Sequence, residues 1–201
     1  MIRRRFLVAA ASMAVLAGCA TNWSTNYGGL NASDTRNWRI GTVTVNVPDT
    51  LTVNESDSYS PDGDIVWRGE PAGDRRAQVQ DIFEESIKRG TRTMRGGQTV
   101  NLNVEVKKFH GISDIARKNL SVSGVHNITF DITITNRSGA VIAQEADVKA
   151  DLIAYSGQDA IDAEAQGQTQ RVRIVNHLSG VFKNWFGHGT DMRKTFARMG
   201  R

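Results

Sequence analysis

The sequence predicts an α+β domain, a two-layer sandwich in which an antiparallel sheet carries two main helices on one face, in the order βαβββα. Two observations carry the sheet. Val100, Leu102, Val104 and Val106 alternate with Asn101, Asn103 and Glu105, and Ile128, Phe130, Ile132 and Ile134 alternate with Thr129, Asp131 and Thr133. Such alternation gives each strand one buried and one wet face, as in a sheet covered on a single side. A third observation carries the helices. Val79, Ile82, Phe83 and Ile87 fall at i, i+3, i+4 and i+8, and Ile174, Val175, Leu178, Val181, Phe182 and Trp185 make a second stripe at helical spacing. A helix with one apolar stripe needs a partner surface, and the covered sheet face supplies it.

Before that domain comes an export segment. Arg3, Arg4 and Arg5 make a basic opening, and Phe6 to Leu16 is an apolar run of 11 residues. A bilayer-spanning helix needs about 20, so residues 1–18 are expected to be a removable signal. Leu16-Ala17-Gly18-Cys19 resembles the lipobox of bacterial lipoproteins. The resemblance implies cleavage between Gly18 and Cys19 and attachment of palmitate-type acyl chains to the Cys19 thiol. Several chains give durable attachment where one gives marginal binding, at about 0.8 kcal/mol per buried methylene. Cys19 is the only cysteine, so no disulfide is possible and the core alone must hold the fold. Ala20 stands where an Asp favours the inner membrane in well-studied lipoproteins, so by resemblance the outer membrane, on its periplasmic side, is the expected location. Arg3-Arg4-Arg5-Phe6-Leu7 also resembles the twin-arginine export pattern. The general pathway needs only the positive charge, and both routes stay open.

The elements follow in order. Residues 19–37, rich in Asn, Ser, Thr and Gly without periodicity, are expected to be the lipidated cysteine and a flexible linker. Residues 38–186 are expected to form a single periplasmic domain. Trp38 to Val47 reads as a strand closed by Pro48, and 54–73 as irregular turns around the apolar island Ile65-Val66-Trp67. Asp74 is placed to cap a helix that runs to Gly96-Gly97. The two alternating strands come next, and Asn136-Arg137-Ser138-Gly139 turns the second into a third strand over Ala140 to Ile153. The last helix ends at Gly187, and 187–201 is expected to be a basic, solvated C-terminal tail. Its Met192, Phe196 and Met199 are also spaced for a short amphipathic helix able to lie on anionic lipid or dock a partner.

Charge and motifs bound the function. Residues 1–18 hold three of the 25 Lys and Arg and none of the 21 Asp and Glu, so the mature chain is nearly neutral. A nucleic-acid partner calls for a basic patch, and none is expected. The sequence contains no G-x-S-x-G, S-x-x-K, H-E-x-x-H, C-x-x-C or phosphate loop. No catalytic residue and no cofactor is therefore assigned, and the chain is expected not to be an enzyme. His110 ends one alternating strand and His126 opens the other, so antiparallel pairing would bring both to one loop with Asp114 and Arg117. Two imidazoles and a carboxylate suit a metal such as zinc, or one imidazole a base. A plain polar cluster that ties down the loop reads the same residues. Asp159, Asp162 and Glu164 precede the last helix, where acids favour the positive helix end.

Five stretches resemble a family of small bacterial lipoproteins catalogued as a domain of unknown function. They are Val66-Trp67-Arg68-Gly69-Glu70, Gly73-Asp74-Arg75-Arg76-Ala77-Gln78-Val79, Phe109-His110-Gly111, Gly124-Val125-His126 and Thr169-Gln170-Arg171-Val172-Arg173-Ile174. That resemblance implies no activity. The expectation is a membrane-tethered periplasmic lipoprotein, a non-enzymatic binding or structural component of the cell envelope with an envelope protein as partner. Two alternatives stand beside it. The lipobox and element order also look like an accessory lipoprotein of an envelope transport machine, and His110 with His126 allows a metal-dependent enzyme.

Overall fold

In the computed structural model, residues 22–121 and 124–197 are described. The expected signal, with Gly18, and the expected lipidation site Cys19 lie outside the described residues, as do Arg198, Met199 and Arg201 of the tail. In chain order the elements are β1 (Trp23–Asn26), α1 (Ala32–Thr35), β2 (Trp38–Asn46), β3 (Ile65–Val66), α2 (Arg75–Gly90), β4 (Gln98–His110) and α3 (Asp114–Asn119). After them come β5 (Gly124–Thr135), β6 (Val141–Ala150), β7 (Leu152–Ala154), α4 (Gly157–Ala165), α5 (Gln170–Trp185) and β8 (Lys194–Phe196). The expected elements β2, α2, β4, β5, β6 and α5 keep the order βαβββα, with the nine-residue α4 added before α5, and the molecule is a mixed α+β fold. One sheet runs β2-β4-β5-β6-β1-β8, with β3 beside β4 and β7 beside β5.

The inward rows of β4 and β5, from Val100 to Val106 and from Ile128 to Ile134, share a single core with the stripes of α2 and α5. Phe83 on α2 meets Phe130 on β5 edge-on at 5.1 Å, and Phe182 on α5 reaches the same ring at 5.4 Å. Both helices thus press on one face of the sheet. Asp74 caps α2 by accepting from the amides of Arg76 and Ala77, and the Asn136–Gly139 turn closes the β5–β6 hairpin with Gly139 at φ +86°.

Five expectations are corrected. The sheet is not purely antiparallel: β2 runs parallel to β4, from Trp38 opposite Gln98 to Asn46 opposite Glu105, because the crossover through α2 returns the chain in the same direction. With eight strands it is also larger than a plain two-layer sandwich. Helix α2 stops at Gly90 instead of reaching Gly96, the backbone leaving helical geometry at Thr91 (φ -103°, ψ 2°), and Gly90 lies so close to α5 that a Cβ there would fall 2.6 Å from the Ser179 carbonyl oxygen.

The two remaining corrections concern the ends of the domain. Residues 22–37 are not a flexible linker. Trp23–Asn26 is a strand of the sheet, antiparallel to both β6 and β8, and Thr25, Tyr27 and Thr35 are buried. The residues after Gly187 are not a solvated tail up to Phe196, nor an amphipathic helix. Met192 packs on the core, and Lys194–Phe196 zips along β1. Among the described residues no helix is long and apolar enough to cross a membrane.

Candidate functional site

Beta-strand β4 is built with one residue too many, and that residue decides where the two histidines go. From Asn101 opposite Thr135 to Val106 opposite Phe130 the β4–β5 register is regular, and carried on unbroken it would set His110 directly opposite His126. The register shifts between Val106 and Lys108, so Phe109 faces Ile128 and His110 faces Asn127. A bulge of this kind turns the strand over. Phe109 therefore enters the core and His110 leaves the sheet on the outer side, while His126 stays inside. Lys107, the extra residue, bridges Asp131 and Asp147 at 2.9 Å each on the outer side.

The structure thus does not unite His110 and His126 in one cluster, which corrects the juxtaposition expected from the loop. His110 turns its Nδ1 to the Gly63 carbonyl at 3.0 Å. His126 is fully buried, and neither ring nitrogen has a partner among the described residues. Burial, helped by nearby Arg173 and His177, pushes its pKa down to about 3, so the ring is neutral. Asp114 is engaged by Arg68 at 3.2 Å, and Arg117 by Glu164 at 2.9 Å. Among the described residues no three His, Cys, Asp or Glu side chains are grouped to hold a metal ion. Asp159, Asp162 and Glu164 lie on α4, a helix of their own, rather than at the start of α5.

Arginines of the family-like stretches are taken up in ion pairs, backbone hydrogen bonds and a ring stack. The Trp67 indole donates to Glu70 at 2.9 Å, Glu70 pairs with Arg171 at 3.2 Å, and Arg171 also reaches Glu85. Arg75, its side chain 4% exposed, holds Glu55 at 2.7 Å and the Pro71 carbonyl at 3.0 Å. Arg173 donates to the Ile153 carbonyl at 2.7 Å and stacks on Tyr155 at 3.5 Å. Together they strap the turn-rich segment 54–73 and β7 onto α2 and α5. Their arrangement is that of a clasp, with the charged ends consumed.

A second set of side chains fastens residues 22–37, and sequence reasoning passed over all of it. Asp151, 3% exposed, accepts from the Ser24 amide at 3.0 Å, from the Asn127 side chain at 2.7 Å and from the Ile128 amide at 3.2 Å. Glu145 accepts from the Gly28 and Gly29 amides at 2.5 and 3.1 Å and from the Trp185 indole at 2.6 Å. His177 lies 3.2 Å from the Thr25 hydroxyl, and His188 lies 2.9 Å from that of Thr35. Burial pushes His177 down to about 4, with Lys194 as a further cause. The alternation Trp23, Thr25, Tyr27 was the only local signal. At this edge a hollow of about 300 Å³ opens where Lys108, His110 and Asn127 meet Tyr59, Leu120 and Trp23.

The sequence pattern of a family described as "Family of unknown function (DUF6778)" matches residues 38–201. Among solved structures, the chain is similar to a candidate lipoprotein of Caulobacter crescentus CB15, at 15% identity and a TM-score of 0.32, over 53% of this chain and 82% of that one. It is also similar to a dodecameric PelC point variant from Paraburkholderia phytofirmans, at 11% identity and a TM-score of 0.30, over 79% of this chain and 96% of that one. No curated protein matches it.

Proposed function

The chain belongs to DUF6778, a family of unknown function, and we propose that it is a lipoprotein tethered at Cys19 to the periplasmic side of a bacterial membrane, the outer membrane by preference, where it serves as a non-enzymatic binding or structural component. The observation that carries this reading is the position of β1. Trp23 already belongs to the sheet, four positions after Cys19. At no more than about 3.6 Å per residue the thiol lies within about 14 Å of the folded body. An apolar export segment, a lipobox and a sheet that starts four positions later all support a short tether that sets the domain against the bilayer. The non-enzymatic part is supported by the family-like stretches, whose arginines are occupied by acids, backbone carbonyls and a ring, and by His126, sealed from solvent.

Replacing Cys19 with Ser tests the tether. The expected outcome is uncleaved precursor, or loss of the protein from the membrane fraction, while the native N-terminal peptide carries the mass of its acyl chains. An unmodified thiol in the mature protein overturns the proposal.

A further inference from the structure

The start of β1 pairs with the end of β8: Trp23 lies opposite Phe196 and Thr25 opposite Lys194. The chain therefore leaves the sheet at one corner in both directions. Toward the N-terminus it leads to Cys19, and beyond Ala197 the sequence continues Arg198-Met199-Gly200-Arg201. Resting on the tether proposed above, we infer that this corner is a membrane-docking edge that lies on anionic phospholipid, with Trp23 and Phe196 at headgroup depth and Lys194 and Lys108 supplying the charge.

Three observations carry the choice of a lipid surface over a protein. First, the tether is too short for the corner to face elsewhere: a linker of 18 residues would let the body turn freely, and one of four does not. Second, the aromatic pair is not spent on the core. Trp38, Trp67 and Trp185 are buried, whereas Trp23 and Phe196 are half-buried at the sheet's last two strands. Amphipathic aromatic rings are the side chains that settle at the membrane interface. Third, the local charge is mainly positive. From Asp191 to Arg201 there are four cations and one acid, and that acid is closed in a fork with Arg193 at 2.7 Å. Lys194 is exposed, its ammonium 5.8 Å from the Phe196 ring, and Lys108 shares the hollow with Trp23. Juxtamembrane Lys and Arg are drawn to anionic lipid, each shifting the balance about fivefold.

The acylated protein, extracted from membranes and reconstituted into vesicles with brominated acyl chains, tests the edge. Vesicles are made with and without phosphatidylglycerol. With it, tryptophan emission is expected to be quenched, and the quenching to vanish in Trp23→Phe, whose remaining tryptophans are interior. Lys194→Glu, an exposed change of two charge units, is expected to lower the docking equilibrium by about 25-fold. Protein that floats with the vesicles in high salt without quenching, or with quenching indifferent to phosphatidylglycerol and to Lys194→Glu, overturns the docking edge and hands the corner to a protein partner. Loss of flotation in high salt overturns the tether, and the inference with it.

Discussion

His126 and His177 are the residues with the most to lose from acid. Both are held neutral by burial, with pKa values of about 3 and about 4 against an ordinary 6.5. Their folded values lie below the unfolded one, so the unfolded chain binds more protons as soon as pH falls past 6.5. Their contribution is complete above that value and drains away down to the folded pKa, at about 1.4 kcal/mol per pH unit for each imidazole. Between pH 7.5 and pH 5 the two together are expected to cost about 4 kcal/mol. Urea unfolding at the two pH values measures it. His126→Leu removes a buried ring with no partner, so it is expected to leave stability at pH 7.5 unchanged or raised and to halve the acid loss. An equal acid loss in the variant would mean that His126 is not desolvated as the structure has it. Its separation from His110 traces to Lys107, whose insertion in β4 turns His110 outward while His126 stays in the core.

Among the elements, β1 owes its place to side chains supplied from far along the chain. The strand is four residues long, WSTN, too short and too polar to hold itself to a sheet. What holds it is Asp151 at one end and Glu145 beyond the other, 127 and 117 residues away from Ser24 and Gly28. Glu145 satisfies two backbone amides and the indole of Trp185, which is only 1% exposed. Glu145→Ala leaves those donors without an acceptor, at about 2–4 kcal/mol for bonds to a charged group. The expected readout is local: hydrogen exchange at Gly28 and Gly29 speeds up toward that of an open loop, while the amides of β5 keep their protection. Uniform loss of protection throughout the sheet would instead make β1 a part of the central folding unit.

At the scale of the whole molecule, periodicity decides what the sequence reveals. Strands β4 and β5 and helices α2 and α5 are long enough for their alternation or stripe to declare itself, and their order was legible, with the caps at Asp74 and the turn at Asn136–Gly139. The direction of β2 was not, because a parallel and an antiparallel strand carry the same pattern when one face is buried. Nor was the side on which His110 emerges, because an unbroken count from Val106 places it inside and the bulge at Lys107 has no composition of its own. The ends escaped for a further reason: β1 and β8 are stabilised by each other and by partners more than a hundred residues off, and a window of local sequence contains neither. Their closure ties the two ends of the domain into one edge, which a truncation can expose. A chain stopped after Thr190 loses β8, the Met192 side chain packed on the core, and the Met192 amide that donates to the Tyr27 hydroxyl at 3.2 Å. Lost burial and pairing of that size are expected to lower stability by about 1–3 kcal/mol, seen as a drop in the urea midpoint with the central sheet still formed. A solvated tail would leave the midpoint where it was, so an unmoved transition would return residues 191–197 to the solvent and dissolve the edge on which the membrane contact is built.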